Sequence, residues 1–291
     1  MKILSPYLNE SIDWRRGNLH AHTTRSDGDR PPQDLIDRYA ELGYDFLMIS
    51  DHDMITESEA FDCHGMTLIP GNEVTINGPH ILHVDARAYV TPDADRQVVL
   101  SAIAADSAFA IMAHPNWERH FNHCPQNKLE SWQGYLGVEI YNGLVRMHAG
   151  NPLATDRWDM LLGSGRRVWG FANDDAHQIG DEGVAWNMVQ SDSKQVTDLV
   201  AALRAGRFYA STGVIIDSIR LTGNVIRIAT QNAQRIVVTK DFGRCITHAD
   251  AASFEFTVGE TLDATYVRFE CFGHGESMAW TQPIFIESEA Q

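Results

Sequence analysis

Positive charge is scarce in this sequence. Its 291 residues carry 23 Lys and Arg against 39 Asp and Glu, a formal charge of −16. So acidic a surface repels phosphate backbones and anionic lipid, which excludes long nucleic acids and membranes as partners unless a local positive source exists. A cluster of divalent cations is one such source. Cysteine is also scarce. Cys63, Cys124, Cys245 and Cys271 lie far apart with no C-x-x-C spacing, so reduced, structural thiols are expected. No apolar run approaches the roughly 18 residues of a membrane-spanning helix. Met1-Lys2-Ile3-Leu4 runs straight into Pro6 and polar residues, unlike a secretory leader. A cytoplasmic protein is therefore expected. There is no G-x-S-x-G element, so a serine-nucleophile route has no support. Repeats and low-complexity stretches are missing too.

What remains is an ordinary globular composition, 44% apolar. The length suits one large α/β domain, or a domain of about 200 residues with an appendage. Residues 18–22 read as a short strand. Pro31-Pro32 opens a helix whose apolar stripe is Leu35, Ile36, Tyr39 and Leu42, and Gly43 stops it. Phe46-Leu47-Met48-Ile49 is a continuous apolar run, as in a strand buried on both faces. Short strands are also expected at 66–73, 80–85, 109–113, 137–142 and 167–172, and helices at 95–107, 153–162 and 194–205. Strand and helix alternate to about residue 213, which predicts a parallel sheet or barrel. After Ser211-Thr212-Gly213 the texture changes to short or alternating strands with turns between them, from Ile215 to Ile286. This predicts two domains: residues 1–213, and a small antiparallel β-rich domain over 214–291, with a structural, substrate-shaping or dimerisation role.

The chemistry lies at the strand ends. His20 and His22 are two apart, so on a strand both point to one side. His52, His80, His114 and His177 each follow or flank a predicted strand, and the carboxylates Asp27, Glu73 and Asp175 sit in similar places. In a βα barrel this is the face on which active sites are built. Mixed imidazole and carboxylate donors suit Zn, Mn or Fe ions. Nine ligands exceed what one ion keeping a water can use, so two or three ions are expected, with Glu73 as the natural bridge. His64, His120, His123, His148, His248 and His274 lie outside the pattern. His177, His120 and Asp53 are candidates for protonating a leaving group.

His20-Ala21-His22-Thr23-Thr24-Arg25-Ser26-Asp27-Gly28, Ser50-Asp51-His52-Asp53, Gly71-Asn72-Glu73, His80-Ile81-Leu82, Ala113-His114-Pro115 and Asp175-Ala176-His177 resemble, in order and spacing, the PHP (polymerase and histidinol phosphatase) superfamily of metal-dependent hydrolases. The resemblance covers about residues 15–180. It implies a distorted (β/α)7, TIM-like barrel carrying two or three metal ions. By resemblance, His20, His22, Glu73 and Asp175 hold one ion, Asp27, His52 and His177 a second, and Glu73, His80 and His114 a third. Asp51 would orient a ligand histidine. Gly78-Pro79-His80-Ile81-Leu82-His83 offers two histidines for one place, and the family pattern favours His80. Arg25, Arg119 and Arg146 are candidates for gripping phosphate. Ala113-His114-Pro115-Asn116-Trp117, Val138-Glu139-Ile140-Tyr141-Asn142-Gly143 and Phe208-Tyr209-Ala210-Ser211-Thr212-Gly213 look like the carbaryl-hydrolase-like branch. The expected activity is a metal-dependent phosphoesterase acting on a small, anionic phosphorylated metabolite or nucleotide. Hydrolysis of a carbamate, carboxyl ester or amide is the alternative, and a non-catalytic metal-binding module a third.

Overall fold

The computed structural model describes residues 1–10, 12–57 and 60–287. The fold is mixed α/β, built on three sheets and five α-helices among the described residues. Trp14–Asn18, Phe46–Leu47 and Thr67–Leu68 pair in parallel. A second sheet runs Gly71–Val74, Ile81–Val84, Phe109–Met112, Tyr135–Asn142 and Trp169–Asn173. Its last two junctions are parallel and its first two antiparallel. The first antiparallel junction follows from length. Only residues 75–80 separate Gly71–Val74 from Ile81–Val84, too few for the crossover that parallel strands need.

The sevenfold βα barrel implied by the resemblance is not shown by these elements, since the described residues hold five helices. Helices occupy Pro32–Glu41, Arg96–Ala105, Gln126–Ser131, Thr155–Gly163 and Val196–Arg204. Among the described residues the crossover from Phe46–Leu47 to Thr67–Leu68 carries no helix. Continuous strand ladders do not close the sheets into a barrel. Two isolated parallel bridges, Ala21 with Ala176 and His52 with Glu73, join the two sheets beyond the strand ends. The His20/His22 segment is likewise corrected. The strand ends at Asn18, and both histidines lie just past it.

The helix ends follow local chemistry. Pro31 and Pro32 open the first helix, and Gly43 ends it with φ +75°. Asp95 caps the second, its side chain accepting from the Gln97 N–H. Helix Gln126–Ser131 lies where the sequence read only loop.

Beyond Gly213 the described residues form eight strands. Ile216–Thr222, Val225–Thr230 and Ser253–Thr257 form the third sheet. The other five extend the first sheet through Phe208–Ser211, which pairs with Met278–Thr281. The first strand, Lys2–Leu4, pairs with the last, Ile284–Glu287. Hydrogen bonding therefore runs unbroken from the histidine-bearing region into the C-terminal strands. A buried bidentate ion pair joins the two regions. Arg268 donates to Asp159 at 2.9 and 2.6 Å from helix-facing strand Tyr266–Phe272, and Trp158 packs on its guanidinium. No helix among the described residues is long and apolar enough to cross a membrane.

Candidate metal centre

Asparagines set the floor of the site. Asn18, at the end of its strand, donates to the His20 carbonyl and accepts from the Asp174 N–H. Asn173 accepts from the Leu19 N–H. These bonds clamp the segment carrying His20 and His22 to the one carrying Asp175, where ladder pairing has ended. The Asp175 N–H donates to the His20 carbonyl, and the His22 N–H to that of Ala176. A tight turn then brings Asp27 back over the histidines. Gly28 allows it, since a Cβ there would lie 2.3 Å from the His22 carbonyl oxygen.

Asp51 serves this turn. Its carboxylate accepts from the Thr23 N–H, the Thr23 hydroxyl, the Ser26 hydroxyl and the Thr56 hydroxyl. It orients no histidine, contrary to the expectation from resemblance.

All nine residues singled out by sequence converge. Glu73 is central. One of its oxygens lies 3.1 Å from His80 Nδ1, 3.1 Å from His114 Nε2 and 3.3 Å from His20 Nε2. The other lies 3.0 Å from His52 Nδ1 and 3.6 Å from His22 Nε2. Asp175 Oδ1 stands 3.0 Å from His20 Nε2 and 3.3 Å from His22 Nε2. Asp27 reaches His52 at 3.3 Å and His177 at 3.4 Å. The ligand-type atoms of His22, Asp27, His52 and His177 all lie within 4.8 Å of one another, as do those of His20, His22 and Glu73, and of His20, His114 and Asp175.

Of the two histidines at 80 and 83, it is His80 that faces Glu73. His83 is buried elsewhere, 3.5 Å from Asp106. Asp53 is not brought into the cluster. Its carboxylate accepts from the Thr75 N–H, the Thr75 hydroxyl and the Ile76 N–H, bracing the next loop. His120 is exposed and does not line the pocket. Of the three acid candidates only His177 borders it.

The charges explain the titration. Burial opposes ionisation of Glu73, but the surrounding His80 and His20 outweigh it and hold its pKa well below the usual carboxylate range. Hydrogen bonds from His177 and His52 hold Asp27 low. His52 loses solvation on burial, yet the adjacent Asp27 and Glu73 carboxylates push it up to about 10. Burial takes His22 down to about 4. The carboxylates thus draw protons onto neighbouring imidazoles because no Lys or Arg lines the site. Many buried donor atoms nevertheless lack a hydrogen-bond partner: His20 Nε2, both nitrogens of His22, His52 Nδ1, His114 Nδ1, Glu73 Oε2 and Asp175 Oδ1. Buried polar atoms are rarely left so, because each costs about 1–3 kcal/mol. Soft-to-borderline nitrogen and hard oxygen donors, aimed inward and unpaired, fit divalent ions.

The cluster floors a pocket of about 310 Å³, walled by Trp117, Leu144, Val145, His148, Asp29 and Gln178. Arg25, Arg119 and Arg146 do not line it. Arg146 instead bonds the Gly143 carbonyl, and Arg25 lies toward Phe61. Sequence reasoning gave no role to Glu139, which is buried and accepts from His20 Nδ1 at 2.8 Å. A lone carboxylate inside Gly137-Val138-Glu139-Ile140-Tyr141 was the available signal, since an acidic residue in a buried apolar strand needs partners. His123, also outside the pattern, accepts from the His80 N–H and contacts Glu118.

No protein-family model and no curated protein matches the sequence. Among solved structures, one similar chain is a two-domain protein from Bacteroides vulgatus containing a predicted PHP-like metal-dependent phosphoesterase. The alignment covers 99% of this chain and 91% of that one, at 16% identity and a TM-score of 0.56. An amidohydrolase from Chromobacterium violaceum aligns with 57% of this chain and 89% of its own, at 16% identity and a TM-score of 0.43. The first of these shares the fold along nearly its whole length.

Proposed function

We propose that the protein is a metal-dependent hydrolase of the PHP type, and that it cleaves a small phosphoester. The observation that carries this reading is the convergence of six histidines and three carboxylates, with buried unpaired atoms on His20, His22, His52, His114, Glu73 and Asp175. His20, His22, Glu73 and Asp175 would hold one ion, Asp27, His52 and His177 a second, and Glu73, His80 and His114 a third. Zn, Mn or Fe suits these donors. Bound there, the ions supply an activated water and positive charge for the leaving and attacking oxygens. The chain's own residues do the rest. Asp51 fixes the turn that presents Asp27. Asn142 steadies Asp175, donating to it at 3.1 Å. His177 stands at the pocket edge, its Nδ1 fixed by the Asp175 carbonyl so that Nε2, the nitrogen that would hold the second ion, faces Asp27. In this reading the two isolated bridges, Ala21 with Ala176 and His52 with Glu73, stand where a distorted (β/α)7 barrel would close around the site. Residues 1–213 form the catalytic unit and 214–291 a supporting β-rich unit. The partner is a small molecule, and the protein works in the cytoplasm.

A second reading, hydrolysis of a carbamate or carboxyl ester, is favoured by one observation. Trp117, Leu144 and Val145 wall the pocket, and no Lys or Arg lines it. Such a wall suits an uncharged, apolar group beside the cleaved bond. Chain loaded with Mn²⁺ or Zn²⁺ separates the two when given p-nitrophenyl phosphate, bis-p-nitrophenyl phosphate and an aryl carbamate, with bound metal measured alongside. Phosphoester turnover that needs metal is expected. Carbamate turnover without phosphoester turnover selects the second reading, and full metal loading without any turnover overturns both.

A further inference from the structure

We propose that Glu139 is a positioning residue of the metal centre, aligning His20 and His114 from behind. The proposal rests on reading the cluster as a metal site.

Glu139 lies in the strand Tyr135–Asn142 and is buried, yet no Lys or Arg pairs with it among the described residues. Four donors converge on its two oxygens. Oε1 accepts from His20 Nδ1 and from the Asn173 amide, both at 2.8 Å. Oε2 accepts from the His114 backbone N–H at 2.8 Å and the Asn142 amide at 2.9 Å. Every acceptor direction is therefore used, and Glu139 does not border the pocket. It is not itself a ligand.

The consequences differ at the two ends. At His20 the bond puts the proton on Nδ1 and turns the ring so that Nε2 faces Asp175 and Glu73, at 3.0 and 3.3 Å. Ligand histidines are commonly held this way, and losing the holding group typically costs about 10–100-fold in metal affinity. At His114 the bond acts on the backbone. His114 has φ +27°, outside the regions a side-chain-bearing residue adopts freely. Its N–H bonded to Glu139 is what holds that conformation, in which Nε2 stands 3.1 Å from Glu73. The Asn142 amide adds a third link, donating to Asp175 as well as to Glu139. One carboxylate thus sets three residues of the cluster.

The four-donor environment makes the negative charge essential. In Glu139→Gln the amide nitrogen would confront two N–H donors whichever way it points. Glu139→Asp keeps the charge but falls short by one methylene. Zn²⁺ affinity of the full chain, measured by chelator competition, should fall about 10–100-fold in Glu139→Gln and less in Glu139→Asp. The Co²⁺-loaded chain should show a shifted visible spectrum in Glu139→Gln, with rescue toward the parent in Glu139→Asp. Proton NMR of the parent should show a downfield, slowly exchanging His20 Nδ1–H, with or without metal, that disappears in Glu139→Gln. Parental Zn²⁺ affinity in both variants, or a parent lacking that resonance, would overturn the role of Glu139 alone. A parent chain that binds no Zn²⁺ would overturn the metal reading itself, and the proposal with it.

Discussion

Glu73 and Asp159 are both carboxylates in the interior of this molecule, and they live in opposite ways. Asp159 meets Arg268 in a bidentate pair, accepts from the Tyr266 hydroxyl at 3.1 Å, and leaves neither oxygen idle. Arg268 in turn reaches Glu270. Glu73 has five histidines around it, no permanent cation, and one oxygen without a hydrogen bond. A satisfied network needs nothing further and holds two segments together. An unsatisfied one is kept only where something from outside completes it.

Mutation should separate the two most sharply. Arg268→Ala leaves Asp159 buried and uncompensated, so denaturant unfolding should show a loss of about 3–5 kcal/mol, with metal binding retained in the folded fraction. In Glu73→Gln bound metal and turnover should fall to background, while the metal-free chain should lose less stability than Arg268→Ala. Equal destabilisation by the two substitutions would erase the distinction.

A smaller effect comes from pH. The folded-state pKa of His52, about 10, stands above its unfolded value of about 6.5. Its contribution is fully present below the unfolded pKa and fades as pH rises through the folded one. The metal-free chain should therefore melt at a lower temperature at pH 9.5 than at pH 6.5, and His52→Ala should flatten that part of the profile. The Arg268 pair should not contribute, because neither partner changes charge in the window. A parent profile already flat would contradict the stated charge state of His52.

The smallest expected effect lies at the pocket wall. Trp117→Ala should raise KM several-fold for a substrate with an apolar arm and leave metal content untouched, since Trp117 packs against His80 and His114 as a ring and offers no donor atom to the cluster. A change in metal stoichiometry would place Trp117 in the supporting structure instead.

Most of the nine convergent residues were legible because they sit at or beside strand ends, which can be read from apolar runs such as Phe46-Leu47-Met48-Ile49; Asp27, on a turn beyond, was legible from the resemblance. The helix at 32–41 was legible from its proline start, apolar stripe and Gly43, and that at 96–105 from its apolar side, Val98, Val99, Ala102 and Ile103. Pairing direction was not. The antiparallel turn between Val74 and Ile81 depends on a loop length whose consequence appears only once both strands are known. Asp53 looked like an acid because it neighbours His52, yet its φ of +52° turns it toward Thr75. Glu139 was visible as a lone acidic residue in an apolar strand, but its four donors come from residues 20, 114, 142 and 173. No local pattern brings those together.

The pairing of Phe208–Ser211 with Met278–Thr281 has a practical consequence for anyone dividing this chain. The change in sequence texture near residue 213 invites a cut there, but the hydrogen bonding does not stop there. A fragment ending at that point would expose the full edge of Phe208–Ser211, a short apolar strand next to Trp186–Gln190, and would strip Lys2–Leu4 of its partner. Open edges of this kind recruit other chains. Such a fragment would also leave Asp159 buried without Arg268 and open the core that Tyr266, Trp280 and Phe285 fill, so the C-terminal strands complete the half of the molecule that carries the histidines.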